Sequence, residues 1–247
     1  MQKTTFLNRY VPDASPLIAR VAKLGAHEVG AIAALLVFVS LVWIFWAIAD
    51  EVVEGDTHRL DMALLMALRT PGNPRDLLGP PWFEEMMRDF TALGSYAFII
   101  LLVTVTALYL LLVRQKALAL LTVGSVASGM VVSNFLKMGF DRPRPEIDHA
   151  ARVFTPSFPS GHAMLSAITF LTIGALLTRA SAEWRVKVYL VSVALLMTFI
   201  VGASRVYLGV HYPTDVLAGW CVGSAWALLC WAMALWLQRR GQVEPPK

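Results

Sequence analysis

The chain has 247 residues, enough for one domain or two small ones, and it is 57% hydrophobic and 15% charged with a mean hydropathy of +0.61. Soluble domains carry about a quarter charged residues, so this balance excludes an ordinary soluble globular protein and points to the membrane. The net charge of +4 is small, and no basic run with interleaved aromatics occurs, which sets nucleic acid aside as a partner.

Uncharged apolar stretches, most near the roughly 20 residues that a bilayer crossing requires, recur at 29–49, 90–113, 117–136, 163–178, 188–204 and 216–238. The two shorter ones extend into neighbouring polar segments. Together they predict an all-α integral membrane protein, a single domain over 1–247 with six transmembrane helices. The first stretch starts too late and runs too long for a cleaved signal peptide. Cys221 and Cys230 lie in the last stretch. Nine residues turn a helix by about half a circle, so they face opposite ways and read as small buried hydrophobes.

Lys and Arg in short connections orient such a chain. Lys3, Arg9, Arg20 and Lys23 precede the first stretch, Arg114 and Lys116 separate the second and third, Arg179, Arg185 and Lys187 separate the fourth and fifth, and Arg239, Arg240 and Lys247 follow the sixth. These are twelve of the 21 basic residues. The predicted location is therefore the cell (inner) membrane, with the segment 1–28 and both termini cytoplasmic. The alternate connections fall on the periplasmic or extracellular side. The longest of them, 50–89, holds nine acids. Within it, 57–69 places Leu60, Leu64, Leu65 and Leu68 at helical spacing behind Asp56 as N-cap. Pro71, Pro74, Pro80 and Pro81 then break the chain, and 82–89 reads as a second short amphipathic piece. Both are expected to be interfacial helices lying on the membrane.

Three polar clusters remain, all on the outer side over 137–215. The first is Lys137 followed by Arg144-Pro145. The second is Pro159-Ser160-Gly161-His162. The third is Ser204-Arg205, His211 and Asp215. Ionisable groups beside membrane helices are costly and mark function. Lys137, Arg144 and Arg205 are three cations with few matching acids, and an anionic ligand resolves their repulsion. Arginine forks match phosphate oxygens, and lysine adds a point charge. Ser160 and Gly161 fall at a predicted helix N-terminus, where N–H groups and the helix dipole favour an anion. His211 and Asp215 are one helical turn apart, with Pro213 suited to the first turn between them. A carboxylate there fixes the imidazole tautomer, the arrangement of an activated nucleophile. His162 is placed to donate a proton to a leaving oxygen.

Taken singly, each of these residues reads as a cap, a turn or a snorkelling anchor. Taken together on one membrane face, they ask for one ligand, a phosphate. Nothing fixes the spacing of Arg142 and Arg152 to the clusters, and both are expected to be anchors or headgroup contacts. Asp141, Glu146, Asp148 and His149 lack a metal-ligand spacing, so neither a metal nor another cofactor is expected.

These three strings, Lys137-Met-Gly-Phe-Asp-Arg-Pro-Arg144-Pro145, Pro159-Ser160-Gly161-His162 and Ser204-Arg205-Val-Tyr-Leu-Gly-Val-His211-Tyr-Pro-Thr-Asp215, resemble the signature of the type 2 phosphatidic acid phosphatase superfamily. That superfamily includes lipid phosphate phosphatases and vanadium haloperoxidases. The resemblance implies a metal-independent phosphatase with a phosphohistidine intermediate. In it His211 attacks phosphorus, Asp215 supports His211 and His162 protonates the leaving group. Lys137, Arg144, Ser160, Gly161 and Arg205 hold the phosphoryl oxygens. The expected substrate is a lipid phosphate or diphosphate, with undecaprenyl diphosphate favoured and phosphatidylglycerophosphate, phosphatidic acid and lipid A phosphates as other choices. The other expected partners are membrane lipids. Three further activities fit the same residues: phosphoryl transfer to a lipid acceptor, non-enzymatic phosphate binding by a transporter, and halide oxidation with vanadate in the phosphate site. The first needs an acceptor. The second conflicts with a site at helix ends rather than the midplane. The third fits poorly with so apolar a chain.

Overall fold

The computed structural model describes residues 26–146 and 155–239. The predicted cytoplasmic segment, apart from its last residues, and Asp148, His149, Arg152, Arg240 and Lys247 lie outside the described residues. Helices form wherever the apolar runs are free of proline. They are α1 (Ala26–Glu54), α2 (His58–Met66), α3 (Pro81–Ala92), α4 (Tyr96–Leu112), α5 (Lys116–Gly139), α6 (Gly161–Leu177), α7 (Trp184–Tyr207) and α8 (Pro213–Arg239). A two-stranded antiparallel hairpin, β1 (Arg69–Thr70) and β2 (Asn73–Leu77), interrupts them. The hairpin is the one departure from an all-α chain among the described residues. Pro71 and Gly72, the latter at φ +83°, make its turn.

The chain divides into two compact units at Val39/Ser40. The described part of the first is the opening half of α1, which exposes Val29, Ile32, Leu35 and Leu36. The second, from Ser40 on, holds everything below. At its centre stands α6, flanked by α8, α7 and α5. Ile99, Val103, Val126, Met164, Leu165 and Ile168 form its main core. Small residues let the helices approach at backbone distance, as membrane helices do. A Cβ on Gly219 would lie 2.6 Å from the Ser160 carbonyl oxygen, and one on Gly223 would collide with that of Met164. The outward faces of α4, α5 and α7 expose Leu101, Leu108, Leu120, Leu195 and Phe199, which suits hydrocarbon rather than water.

Four helices (α1, α5, α7 and α8) are long and apolar enough to cross a membrane. A fifth crossing arises if α3 and α4, bent by 52°, count as one span, and α6 is a shorter apolar helix of 17 residues. The interfacial piece predicted at 82–89 is thus longer and leads directly into the second apolar stretch. The other piece is corrected too. Its helix starts at His58 with Thr57 as N-cap and no capping bond from the Thr57 side chain, so Asp56 is not the cap. The Thr57 hydroxyl instead accepts from Arg142 at 3.3 Å. Cys221 and Cys230 are free and buried, as expected of small apolar fillers.

Candidate active site

Two helix ends and the turn between them build the core of the site. Gly209, at φ +71°, stops α7. Its N–H donates to the Val206 carbonyl at 2.9 Å, and that of Val210 to the Arg205 carbonyl at 3.2 Å. This is the Schellman pattern that only a left-handed residue permits cheaply. The chain then turns through His211 and Tyr212 into α8, which opens on Pro213. Asp215 sits in the first turn of α8, and its Oδ2 accepts the backbone N–H of Tyr212 at 2.9 Å, the return half of a capping box. A carboxylate at that position also meets the positive end of the helix dipole.

His211 is 1% exposed and Asp215 wholly buried. Their Nδ1 and Oδ2 are 3.4 Å apart, and the Ser157 hydroxyl lies 3.3 Å from Nδ1 while donating to Oδ2. On the other side of the ring, Nε2 is 3.1 Å from Nη1 of Arg144. A guanidinium only donates, so Nε2 carries the lone pair and Nδ1 the proton. Burial pushes His211 down to about 3, against the hydrogen bond and charge of Asp215, which pull upward. The ring is therefore neutral at ordinary pH, with its basic nitrogen turned toward the cations.

Those cations converge. Arg144 is held by the Thr155 carbonyl and hydroxyl at 2.9 and 3.1 Å and by the Val210 carbonyl at 2.8 Å. Burial lowers its proton affinity, partly offset by Asp215. Lys137, in the last turn of α5, donates to the Pro156 carbonyl at 3.0 Å. Its Cε would be 3.4 Å from a Cβ on Gly161, so the lysine runs along the N-terminus of α6. Arg205, 8% exposed, bonds the Thr91 hydroxyl at 3.1 Å and leaves its Nε without a partner. No carboxylate among the described residues forms an ion pair with any of these three. Ser160 caps α6, accepting from Ala163 N–H at 3.5 Å and donating its own N–H to the Asp215 carbonyl at 2.9 Å. Gly161 and His162 open the first turn of α6, where a helix offers their N–H groups no intrahelical partner. His162 lies within electrostatic range of Arg205, His211, Arg144 and Lys137. Its Cβ and Cδ2 would each be 3.3 Å from a Cβ on Gly94, at the bend between α3 and α4. All eight residues predicted from the sequence are thus brought to one place.

Three residues were not foreseen. Ser157 is one, and its only signal was a polar residue in the loop ahead of the Pro-Ser-Gly-His string. The second is Arg142, expected to be an anchor. It is instead 10% exposed and bonds Asp215 Oδ1 at 2.6 Å and Asp61 Oδ2 at 2.7 Å. The third is Asp61 itself, wholly buried on α2. Its signal was an acid four residues from Leu65 on the buried face of a short helix. Among the described residues no group of three or more His, Cys, Asp or Glu is arranged to hold a metal ion.

An anion cradle beside a histidine–aspartate pair, at the mouth of a bundle of apolar helices, defines a phosphate-handling membrane protein. Residues 117–239 match the model of the PAP2 superfamily, and the chain belongs to that superfamily. It is 31% identical over 150 residues to phosphatidylglycerophosphatase B of Bacillus subtilis (strain 168), covering 60% of this chain and 73% of that protein. It is 31% identical over 128 residues to an undecaprenyl-diphosphatase of Sulfolobus acidocaldarius, covering 49% of this chain and 58% of that one. The crystal structure of a transmembrane PAP2-type phosphatidylglycerolphosphate phosphatase from Bacillus subtilis superposes with a TM-score of 0.69. Its identity is 25%, and the match covers 83% of this chain and 98% of that one.

Proposed function

We propose that the protein is a metal-independent lipid phosphatase that works through a phosphohistidine on His211. The observation that carries this reading is the orientation of one ring. Nε2 of His211 holds the lone pair, faces Arg144 at 3.1 Å and has Asp215 and Ser157 behind it. An incoming phosphate takes over the N–H groups of Arg144, which frees the lone pair beside the phosphorus. Arg144, Arg205, Lys137 and the N–H groups of Gly161 and His162 hold the three equatorial oxygens as charge develops on them. Nε2 attacks, the bond to the lipid oxygen breaks, and His162, protonated once the bound phosphate offsets the surrounding cations, supplies the proton that oxygen needs. Asp215 stabilises the positive ring. Water then attacks the phosphohistidine, His162 takes its proton, and inorganic phosphate leaves.

The cradle holds one phosphoryl group and its bridging oxygen. It therefore suits the terminal phosphate of a lipid monoester or diphosphate alike, and the similar proteins include one named for phosphatidylglycerophosphate and one named for undecaprenyl diphosphate. Six crossings complete the reading. The bent pair α3–α4 is the second, and α6 is the fourth, lengthened by the 3-10 turn Thr178–Ala180. The positive-inside count then puts both termini in the cytoplasm and the site on the outer face of the cell membrane.

Phosphate release is measured from undecaprenyl diphosphate, phosphatidylglycerophosphate and phosphatidic acid in detergent, without added acceptor. The wild type releases phosphate, and His211→Ala reduces release to the blank. Equal release by His211→Ala would falsify the mechanism, and substrate consumed only with an added acceptor, the phosphoryl group appearing on that acceptor and not as free phosphate, would assign a phosphotransferase.

A further inference from the structure

Asp61 and Arg142 take no part in the chemistry above, yet both are charged, Asp61 wholly buried and the Arg142 side chain 10% exposed. Asp61 lies on α2, in the outer connection. Its Oδ1 accepts the Thr214 N–H at 3.0 Å, and its Oδ2 accepts the Thr214 hydroxyl at 2.6 Å and Nη2 of Arg142 at 2.7 Å. Nη1 of Arg142 reaches Asp215 Oδ1 at 2.6 Å and the Thr214 hydroxyl at 2.8 Å. The guanidinium carbon lies over the Tyr212 ring, 4.2 Å from its centroid. One arginine thus bridges two carboxylates and grips both residues that flank Pro213.

We infer that Asp61 and Arg142 are positioning residues, through which the outer connection holds Asp215 in the one rotamer that serves His211. The assignment of Asp215 to His211 rests on the mechanism proposed above. The geometry follows from counting acceptors. Oδ2 of Asp215 serves the Tyr212 N–H, Ser157 and His211, and Oδ1 is left to Arg142. With both oxygens tied, the carboxylate does not rotate. Arg142 would otherwise be free to swing on its long stem; Asp61 and Thr57 at 3.3 Å fix its second nitrogen. The planar fork is what permits two carboxylates to be bridged at once, and a lysine offers no such fork. A strut serving stability alone would not need its charge aimed at the oxygen opposite the one facing the histidine.

The test uses the full-length protein in detergent with dioctanoyl phosphatidic acid and His211→Ala as the blank. Asp61→Asn is expected to lower kcat about 10²-fold, the loss typical of a small misplacement of a reacting group, with KM changed less than about twofold. Arg142→Lys keeps the charge and is expected not to restore kcat. Asp61→Asn combined with Arg142→Met is expected to lose little more than the worse single variant, as for residues acting as one unit. Wild-type kcat in a folded Asp61→Asn protein, or a loss confined to KM, overturns the inference and leaves the role of His211 standing. Phosphate release by His211→Ala overturns the mechanism itself. If Asp61→Asn does not elute as a folded species, Arg142→Lys carries the test alone, and wild-type kcat there overturns the inference.

Discussion

A histidine buried to 1% exposure beside three cations is held neutral by its surroundings, and this has a measurable sign. His211 protonates near 3 in the folded protein and near 6.5 when unfolded. Between those values the unfolded chain binds the extra proton, so stability from this residue is complete above about pH 6.5 and declines as pH falls toward 3. Histidine-labelled protein in detergent is expected to show the neutral Nδ1–H ring of His211 at pH 5, identified by the signal missing in His211→Gln. A charged-ring signal at that pH would contradict the geometry. The residues with strict local spacing, from Lys137 to Asp215, were legible in the sequence because chemistry had packed them into short strings. Arg142 was misread and Asp61 and Ser157 were missed, because their partners are remote in the chain. Asp61 meets Thr214 across 153 positions, and Ser157 meets Asp215 across 58. No local pattern encodes such contacts.

Among the elements, α6 and α8 are the pair on which the site depends. Gly219 faces the carbonyl of Ser160, the residue that caps α6 and bonds Asp215. Gly219→Ala is expected to push these backbones apart, with the roughly 1–3 kcal/mol cost of overpacking. Apparent Tm and kcat should fall together; a Tm unchanged from wild type would show that the contact gives way without strain. The apolar runs foretold where these helices lie, and Pro213 foretold the start of α8. The bend between α3 and α4 was not foretold. Its 52° turn depends on Gly94, whose missing side chain leaves room for Val201 and His162, and that fit exists only once α6 and α7 are in place. The hairpin escaped for a similar reason. Its prolines read as breaks, and its second strand is exposed along most of its length.

At the scale of the whole molecule, composition alone identified a membrane protein, and charge counting supplied an orientation. Six apolar stretches were read where four helices, or five with the bent pair, meet the length and composition of a span; α6 is apolar but, at 17 residues, falls short in length. The native cysteines are buried, so single exposed cysteines can report sidedness. Asp76→Cys on the hairpin is expected to react with a membrane-impermeant maleimide in intact cells, and Ala182→Cys, before α7, only after permeabilisation. The reverse pattern would invert the topology. The glycine contacts between α6 and α8 carry one more consequence. A bilayer thicker or thinner than the protein's apolar girth makes helices tilt or slide. Two helices locked backbone to backbone tilt together, so the span from the N-terminus of α6 to His211, the proposed nucleophile, is insulated from membrane thickness, and adaptation to different lipid environments falls to the outer helices.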